Sequence, residues 1–301
     1  MPEKYEFQIT ETDAKKRLDE FLFGRFFHVS KMYLREAMRF GKCEVNGTLE
    51  NLSYKLRKND FVELELDFDE RQIIQPENIP LDIIYEDLEL IVVDKPSGML
   101  VHPSRRIRTG TLLNALTFHV NDENLKTKNP YELNFEFSRA GLVHRLDKQT
   151  SGLMIIAKNA RSHKIIAEHF KRKLVEKRYY ALVEGKIEKE MGEINAPIGR
   201  FAEEKLWNIK DDGKIAITNF WVKKRFADST LLELEPVTGR TNQLRIHLAH
   251  IGHPIFGDEK YGGKAFSRLC LHAYKINFWH PNGNRQMEFE IDLPEEMKLE
   301  H

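Results

Sequence analysis

The sequence predicts an α+β fold in two parts: a small N-terminal α/β module and a larger domain built around a mixed, mainly antiparallel β-sheet. From residue 82 onward, β-type runs outnumber helical stretches, and hairpin-length gaps separate several of them. Residues 1–70 begin instead with helical periodicity and end in a strand-like alternation. Between the two parts, residues 71–81 carry prolines and no periodicity, so we interpret them as a linker.

Two helices, a hairpin and a closing strand are expected in the N-terminal module. Apolar side chains at helical spacing predict the first helix: Leu18, Phe21, Leu22 and Phe26. The second helix is expected between Ser30, a candidate N-cap, and Gly41, a candidate C′ residue. Asn46-Gly47 is a strong signal for a two-residue hairpin turn. Apolar residues that alternate with acids predict the closing strand: Val62, Leu64, Leu66 and Phe68.

The second predicted helix carries a basic stripe, Lys31, Arg35 and Arg39, whose successive members are four positions apart. The chain has no formal net charge, yet residues 15–58 hold eleven Lys/Arg against five Asp/Glu, and residues 161–178 hold seven against two. Because salt screens charges beyond ~10 Å, a phosphate backbone responds to such local patches rather than to the net charge. The stripe predicts phosphate contacts, although basic runs are also typical of solvated faces.

Six apolar runs predict strands of the larger domain, in residues 83–87, 90–95, 153–159, 179–185, 216–224 and 231–236. One helix is predicted over residues 161–173, and its inner face would be formed by Ile165, Ile166, His169 and Phe170. Since strands outnumber helices, we favour a mainly antiparallel sheet over a doubly wound parallel one.

The composition excludes several classes of protein. An apolar fraction of 41% is adequate for a packed core and argues against global disorder. Cys43 and Cys270 are the only cysteines and form no CxxC pair, so neither a disulfide framework nor a cysteine-based zinc site is expected. No apolar signal region begins the chain and no apolar run approaches ~20 residues, so we expect a cytoplasmic protein without a membrane span.

Histidines in the run HLAHIGHP could suggest a metal site. His247, His250 and His253 repeat every three residues, and imidazoles at that spacing can share a helix face. Gly252 and Pro254 should end a helix within this run, so we expect no metal. Nothing in the sequence resembles a glycine-rich phosphate-binding loop, and no cofactor is expected.

The run HRLDKQTSG, residues 144–152, is the strongest chemical signal in the chain. Asp147 is bracketed by His144, Arg145 and Lys148, a cationic setting that favours an ionised carboxylate. Two hydroxyl residues and a glycine precede an apolar strand, so we expect the acid in a loop at a sheet edge, where catalytic groups often lie. Taken alone, an Asp in a loop more often caps a turn or pairs with a neighbouring arginine.

The longer run GLVHRLDKQTSGLMIIAKN resembles the central motif of the RluA/RluC/RluD family of pseudouridine synthases. Other blocks match the family in the same order along the chain: IYEDLELIVVDKPSGMLVHP at 84–103, VEKRYYALVEG at 175–185, and GRTNQLRIHLAHIGHPIFGDEKYG at 239–262. The short runs LHA at 271–273 and HP at 280–281 fit the closing strand region of the family. The resemblance extends from about residue 82 to the C-terminus.

The resemblance implies that the chain isomerises uridine in RNA, with Asp147 essential for catalysis, Arg245 as its basic neighbour and Tyr179 against the target base. A tyrosine of ordinary pKa is a poor base at neutral pH, so stacking is the preferred role for Tyr179. Arg145 is expected either to fill the space left by a flipped-out uridine or to pair with Asp147. RNA contacts are also expected from His144, Thr150, Lys177 and Arg240.

Residues 1–70 resemble the S4 RNA-binding module. The matching residues are Arg17-Leu18-Asp19, Ser30, Arg35, Gly41, Val45-Asn46-Gly47 and Asp60. Within the family, this module beside the catalytic domain implies a large-subunit, 23S-type ribosomal RNA as substrate, with transfer RNA as the alternative. We expect a monomer that binds RNA.

Asn242 departs from the family pattern, which usually has histidine at this position. An amide keeps hydrogen-bonding capacity but does not titrate, so a role as proton shuttle is in doubt. Two other functions stay open. A non-catalytic RNA-binding ribosome-assembly factor would not need Asp147, Tyr179 and Arg245 intact. A base-releasing hydrolase would need a second carboxylate across from Asp147, which the sequence does not supply.

Overall fold

The computed structural model describes residues 3–26, 29, 31–66, 74–104, 107–125, 141–201, 203, 206–283 and 285–298. The chain divides into two compact units, residues 1–80 with 102–141, and residues 81–101 with 142–301. The division near residue 80 falls in the predicted linker, whose described residues 74–81 form neither helix nor strand. Residues 102–141 group with the first unit, whereas the predicted catalytic domain extended without interruption from residue 82 to residue 301.

The first unit contains a three-stranded antiparallel sheet in the order β1-β3-β2, formed by β1 (Glu3–Gln8), β2 (Cys43–Val45) and β3 (Phe61–Leu66). Helices α1 (Leu18–Arg25) and α2 (Lys31–Arg39) share an apolar core with this sheet. The core residues include Leu18, Phe21, Leu22, Phe26, Val62, Leu64 and Leu66. The two predicted helices and the alternating strand are therefore confirmed, whereas Ser30 and Phe68 lie outside the described residues.

The hairpin signal at Asn46-Gly47 is confirmed by the backbone. Both residues have positive φ, +53° and +75°, as a type I′ turn requires. The Asn46 side chain donates to Asp60 Oδ1 at 2.9 Å and accepts from the Phe61 N–H at 2.8 Å. Strand β1 was not predicted, although Tyr5 and Phe7 alternate with polar residues along it.

A third helix among the described residues of the first unit is α3 (Leu112–Leu125). Near its start, the Asn114 amide nitrogen donates to the carbonyl of Gln75 at 2.7 Å. The Glu77 carboxylate accepts from the Gly110 N–H at 3.0 Å. These contacts attach residues 74–77 to the beginning of α3.

The second unit is built on a nine-stranded sheet in the order β4-β5-β6-β13-β7-β12-β11-β8, with β14 paired to β13. Its strands are β4 (Asp82–Glu86), β5 (Leu90–Lys95), β6 (Ser151–Ala157), β7 (Glu176–Glu184), β8 (Met191–Asn195), β11 (Ile217–Arg225), β12 (Ser229–Pro236), β13 (Leu271–Trp279) and β14 (Gln286–Glu290). A separate hairpin joins β9 (Ile198–Phe201) to β10 (Leu206–Ile209). Among the described strand pairs only β6 and β13 run parallel, so the sheet is mixed and mainly antiparallel. This arrangement confirms the predicted α+β class.

Two α-helices accompany this sheet in the described part of the unit. Helix α4 (Ala160–Lys171) begins after Asn159, whose side chain accepts a hydrogen bond from the Ser162 N–H at 2.8 Å, and it matches the predicted helix. Helix α5 (Gln243–His250) contacts β10, β11 and β12 and ends just before Gly252, whose φ is +83°. No helix among the described residues is long and apolar enough to cross a membrane.

Candidate active site

The second unit contains an open cleft of about 1150 Å³. Its walls come from residues 144–150, from the end of α4 and the start of β7, and from the segment between β12 and α5. Asp147 lines this cleft with its side chain 28% exposed, and Tyr179 and Arg245 line the same cleft. The three side chains expected at the catalytic centre therefore meet at one site, although they come from distant parts of the chain.

A close backbone approach anchors the loop that carries Asp147. The Thr150 N–H donates to the Asp147 carbonyl at 3.2 Å, which closes a turn before β6. Gly152 follows with φ of +117°, and a β-carbon at this position would lie 2.3 Å from the carbonyl oxygen of Ala273. Because β6 and β13 pair in parallel here, the glycine of HRLDKQTSG is required for the two strands to meet.

A buried lysine ties the same loop to the residues that follow β5. Lys95 has no exposed surface. Its Nζ donates to three carbonyl oxygens, at 2.7, 3.0 and 3.3 Å, which belong to Pro96, Met99 and Lys148. Burial, together with the charge of Arg268, lowers the pKa of Lys95 to about 8. Since Lys148 follows Asp147 directly, this contact restrains the loop beside the carboxylate.

Arg245 is held chiefly by Asp258. Its Nε and Nη2 atoms lie 2.7 and 2.6 Å from the two oxygens of the Asp258 carboxylate, which forms a bidentate ion pair. The remaining Nη1 atom lies 3.7 Å from Asp147 Oδ2. The Asp258 side chain is fully buried, whereas Asp147 faces the cleft. Arg245 therefore presents its positive charge to Asp147 from a fixed position.

Asn242 makes a closer contact with Asp147 than Arg245 does. With its amide nitrogen turned towards the carboxylate, Asn242 donates to Asp147 Oδ2 at 2.7 Å, and its amide oxygen lies 2.9 Å from the Tyr261 hydroxyl. The opposite orientation would place the amide oxygen against the carboxylate, where two acceptors repel each other. We therefore assign the orientation in which the amide nitrogen donates a charge-assisted hydrogen bond. The Tyr261 hydroxyl is also 3.0 Å from the carbonyl oxygen of Trp207.

Strand β7 presents Tyr179 and Lys177 to the cleft. Burial and the negative charge of Asp147 raise the pKa of Tyr179 above its ordinary value near 10. The phenol is neutral at physiological pH, which favours stacking over proton abstraction. Lys177 Nζ lies 5.6 Å from the ring centre of Phe170, and burial lowers its pKa. Lys177 therefore places a partly desolvated ammonium group at the cleft wall.

His144 supports the catalytic loop through contacts with the protein. Its Nε2 accepts a hydrogen bond from the Ile155 N–H at 2.9 Å, and its ring stacks on Phe170 with 4.6 Å between ring centres. Burial and the charge of Lys177 lower the pKa of His144 to about 3, so the imidazole is neutral and carries its proton on Nδ1. These contacts favour a supporting role over the direct RNA contact expected from the sequence.

The other expected RNA-binding residues of this unit differ in exposure. Arg145 is exposed, and no ion pair within 4.0 Å joins it to Asp147 in the described structure, so the expected pairing is not observed. Thr150 is buried although it borders the cleft. Arg240 is exposed, and its Nε donates to the carbonyl of Ile215 at 2.9 Å.

In the first unit, the described side chains of the basic stripe are available to a ligand. Arg35 and Arg39 are exposed on α2. The guanidinium of Arg35 lies 5.1 Å from the ring centre of Phe23, which orients it without neutralising it. The side chain of Lys31 lies outside the described part of the structure.

Two of the histidines that could suggest a metal site, His247 and His253, are hydrogen-bonded within the protein, whereas His250 is exposed. Buried His247 lies 2.9 Å from Thr218 Oγ1 through Nδ1 and 3.0 Å from the Ala196 carbonyl through Nε2. His253 Nδ1 lies 2.8 Å from the carbonyl oxygen of Glu184. The described residues contain no group of three His, Cys, Asp or Glu side chains that could hold a metal ion.

Comparison with known proteins identifies the family. Residues 89–250 match the family model described as RNA pseudouridylate synthase. The chain belongs to the RNA pseudouridylate synthase family. This RNA pseudouridine synthase is therefore an isomerase, as its central motif implied.

Relatives of the synthase extend over nearly its whole length. It is 40% identical over 299 residues to an uncharacterised RNA pseudouridine synthase of Aquifex aeolicus, covering 94% of this chain and 92% of the relative. It is 33% identical over 307 residues to ribosomal large subunit pseudouridine synthase D of Vibrio cholerae, covering 96% and 91%. A solved structure, human RNA pseudouridylate synthase domain containing 1, is similar with a TM-score of 0.55 and 25% identity, covering 72% of this chain and 84% of that one.

Several residues of this pseudouridine synthase site had no role predicted from the sequence. Asp258 and Tyr261 lie in the GDEKYG run that carried the resemblance, yet their contacts with Arg245 and Asn242 were not anticipated. A signal was present, because an arginine has five N–H donors and a single neighbouring acid leaves some of them without a partner. The contact of Asn242 could not be deduced, since its side-chain direction depends on a left-handed backbone with φ of +55°.

Proposed function

We propose that this synthase converts specific uridines of large-subunit ribosomal RNA to pseudouridine, with Asp147 as the catalytic carboxylate. The proposal rests on two contacts that Asp147 makes in the open cleft. The Asn242 amide donates a hydrogen bond to its carboxylate, and Arg245 places a fixed positive charge beside it. Such an arrangement aims a carboxylate at a ligand and stabilises its charge.

The isomerisation matches this set of residues because it needs no group from outside the RNA. The N1–C1′ bond breaks, the uracil turns while bound, and a C5–C1′ bond forms, after which C5 loses a proton and N1 carries one. Asp147 would either attack C1′ or remove the 2′ proton, and both routes use a single carboxylate. Tyr179, neutral and at the cleft wall, would stack on the uracil while it turns.

Access to C1′ requires the uridine to leave its stack, which costs a few kcal/mol in a helix and less in a loop. Arg145 is suited to fill the vacated space, because it is exposed at the cleft and is not paired with Asp147. Lys177 and Arg240 would contact the RNA from two walls of the cleft. His144 and Thr150 would hold the loop that carries Asp147.

Ribosomal RNA is the substrate we favour, on two grounds. Relatives from several bacteria, about one-third identical to this chain, are named ribosomal large subunit pseudouridine synthase D. In addition, residues 1–70 resemble the S4 module, and the exposed arginines of α2 would bind RNA phosphates. We propose that the enzyme acts in the cytoplasm as a monomer, where it would meet this RNA.

Pseudouridine mapping of total RNA from cells with and without the gene tests the substrate. We expect signals in large-subunit ribosomal RNA to disappear with the gene and to return with the wild-type copy, but not with Asp147→Ala. Loss confined to transfer RNA would overturn the ribosomal assignment. Release of free uracil by the purified protein would overturn the isomerisation itself. Pseudouridine formation by Asp147→Ala, with its RNA binding intact, would overturn the role of Asp147.

A further inference from the structure

Among the described residues, the hydrogen-bond donor closest to Asp147 is the amide of Asn242. Its nitrogen lies 2.7 Å from Oδ2 and 3.3 Å from Oδ1, whereas Arg245 Nη1 is 3.7 Å from Oδ2. The other two side-chain nitrogens of Arg245, Nε and Nη2, donate to Asp258. The orientation of the Asp147 carboxylate therefore depends on the amide, while Arg245 supplies charge from a greater distance.

Tyr261 completes the arrangement on the far side of the amide. Its hydroxyl lies 2.9 Å from the amide oxygen of Asn242, and burial raises its pKa, so it remains an O–H donor. The Arg245 guanidinium lies 5.1 Å from the Tyr261 ring centre, which restrains the ring. The carbonyl oxygen of Trp207, in the β9–β10 hairpin, lies 3.0 Å from the same hydroxyl, so the single O–H hydrogen is shared between this oxygen and the amide oxygen of Asn242.

We propose that Asn242 is a positioning residue, whose amide nitrogen holds the Asp147 carboxylate in its reacting orientation while the Tyr261 hydroxyl fixes the amide. This inference rests on the proposed role of Asp147. It also accounts for the departure at position 242. A neutral imidazole has one N–H donor and one acceptor nitrogen, and an amide has an NH2 donor group and an acceptor oxygen, so either side chain can donate to Asp147 and accept from Tyr261. What the position needs is this donor–acceptor pair, and no proton has to be transferred through it.

The left-handed backbone conformation at position 242 limits which substitutions can be used as tests. Asn242 has φ of +55°, a left-handed conformation in which Asn, Asp and His are the favoured non-glycine residues. Asn242→His keeps a donor and an acceptor, whereas Asn242→Asp keeps the shape but offers only acceptors when ionised. Tyr261→Phe removes the hydroxyl without changing position 242. Asn195→His, at an exposed position of β8, is the matched control.

Single-turnover isomerisation and RNA affinity should be measured on an unmodified large-subunit ribosomal RNA transcript. Loss of a hydrogen bond to a charged group corresponds to about a 10- to 100-fold lower rate. We expect this loss for Asn242→Asp, a smaller loss for Tyr261→Phe, and rates within about threefold of wild type for Asn242→His and Asn195→His. RNA affinity should stay unchanged in all four variants. Full activity of Asn242→Asp, or a failure of Asn242→His to retain the rate, would overturn the inference.

A second measurement keeps this inference separate from the proposed function. In protein labelled with ¹⁵N-asparagine, the Asn242 side-chain amide should exchange slowly with water, and its resonance should shift in Asp147→Asn and in Tyr261→Phe. A resonance that responds to neither substitution would contradict the contacts, whatever the RNA substrate. If instead wild type forms no pseudouridine on the ribosomal transcript while the resonance responds as expected, the proposed substrate fails and the positioning contact stands.

Discussion

Arg245 and Asp258 form a buried bidentate ion pair, with 2.7 and 2.6 Å between their paired atoms, and Arg245 lines the same cleft as Asp147. The pair leaves one arginine nitrogen directed at Asp147, 3.7 Å from its carboxylate. The ion pair with Asp258 thus fixes the position of the Arg245 guanidinium. Without Asp258, the Arg245 guanidinium could form a close ion pair with Asp147 instead. The Asp147 carboxylate would then no longer be available to the RNA.

We therefore expect Asp258→Asn to lower both stability and activity. Breaking a buried ion pair by removing one partner costs about 3–5 kcal/mol, because the remaining charge is left uncompensated. Urea unfolding should report that loss, and the isomerisation rate should fall more than about 10-fold with RNA affinity retained. Asp212→Asn is the control, since Asp212 pairs with Lys210 at the surface, where solvent screening makes an ion pair contribute little to stability. Equal effects of the two substitutions would contradict the prediction.

Gly152→Ala should disrupt the second unit by steric overlap. The added β-carbon would meet the Ala273 carbonyl oxygen at 2.3 Å, and the φ of +117° is unfavourable for alanine. The sum of these effects is about 3–5 kcal/mol, measurable as a lower free energy of unfolding.

Gly98→Ala separates the steric effect from the backbone effect. Gly98 also has positive φ, +84°, but nothing lies within 4 Å of the position of its missing β-carbon. We expect this variant to lose only about 1–2 kcal/mol, the cost of a left-handed backbone. If Gly98→Ala destabilised the protein as much as Gly152→Ala, the close approach of β6 and β13 would not be the cause.

The sequence predicted those parts of the fold that depend on local pattern. Alternation in Val62, Leu64 and Leu66 predicted β3, and the left-handed preference of Asn46-Gly47 predicted the turn, because each pattern is set by neighbouring residues. Strands β8 and β9 escaped prediction because they are short and mostly polar or half-buried, and tertiary pairing holds them in place.

For the site, the sequence indicated the residue types but not all of their contacts. Asp147 and Tyr179 were indicated by the runs in which they occur, and Arg245 lies beside Asp147 as expected. Two of the three side-chain nitrogens of Arg245 bond to Asp258 rather than to Asp147. This arrangement depends on the packing of α5 against a turn 13 residues away, which no local pattern encodes. The inward orientation of His144 likewise depends on its stacking with Phe170 in α4.

Arg35 and Arg39 on α2 should contribute to RNA binding through phosphate contacts. Each lost contact lowers the slope of log affinity against log salt by about 0.7–0.9, so the double variant Arg35→Ala/Arg39→Ala should lose about 1.5 from that slope and bind more weakly. Titration of a ribosomal RNA transcript at several salt concentrations measures both. Lys186→Ala/Lys189→Ala is a charge-matched control, because both lysines are exposed and neither lines the cleft. Identical slopes for the two double variants would argue against an RNA-binding stripe on α2.

Asp87 should make the second unit sensitive to acid. Burial alone would raise its pKa, but hydrogen bonds from Tyr85, from two backbone N–H groups and from His280 lower it to about 2, against an ordinary value of 3.8. Because the folded-state pKa is the lower one, the stabilisation is complete above about pH 4 and is lost as the pH falls towards 2. A shift of this size corresponds to about 2 kcal/mol.

Asp87→Asn tests this contribution, since asparagine keeps the shape of the side chain and cannot carry the charge. The free energy of unfolding, measured with urea, should be lower in the variant by about 2 kcal/mol at pH 7. Near pH 2.5 the gap between wild type and variant should narrow, because the wild-type carboxylate is then losing its advantage. Asp212→Asn again serves as the control, because its side chain is 75% exposed and its ion pair lies at the surface. A gap at Asp87 that stays constant from pH 7 to pH 2.5 would mean that the hydrogen bonds to His280 and Tyr85 stabilise the fold without depending on the charge.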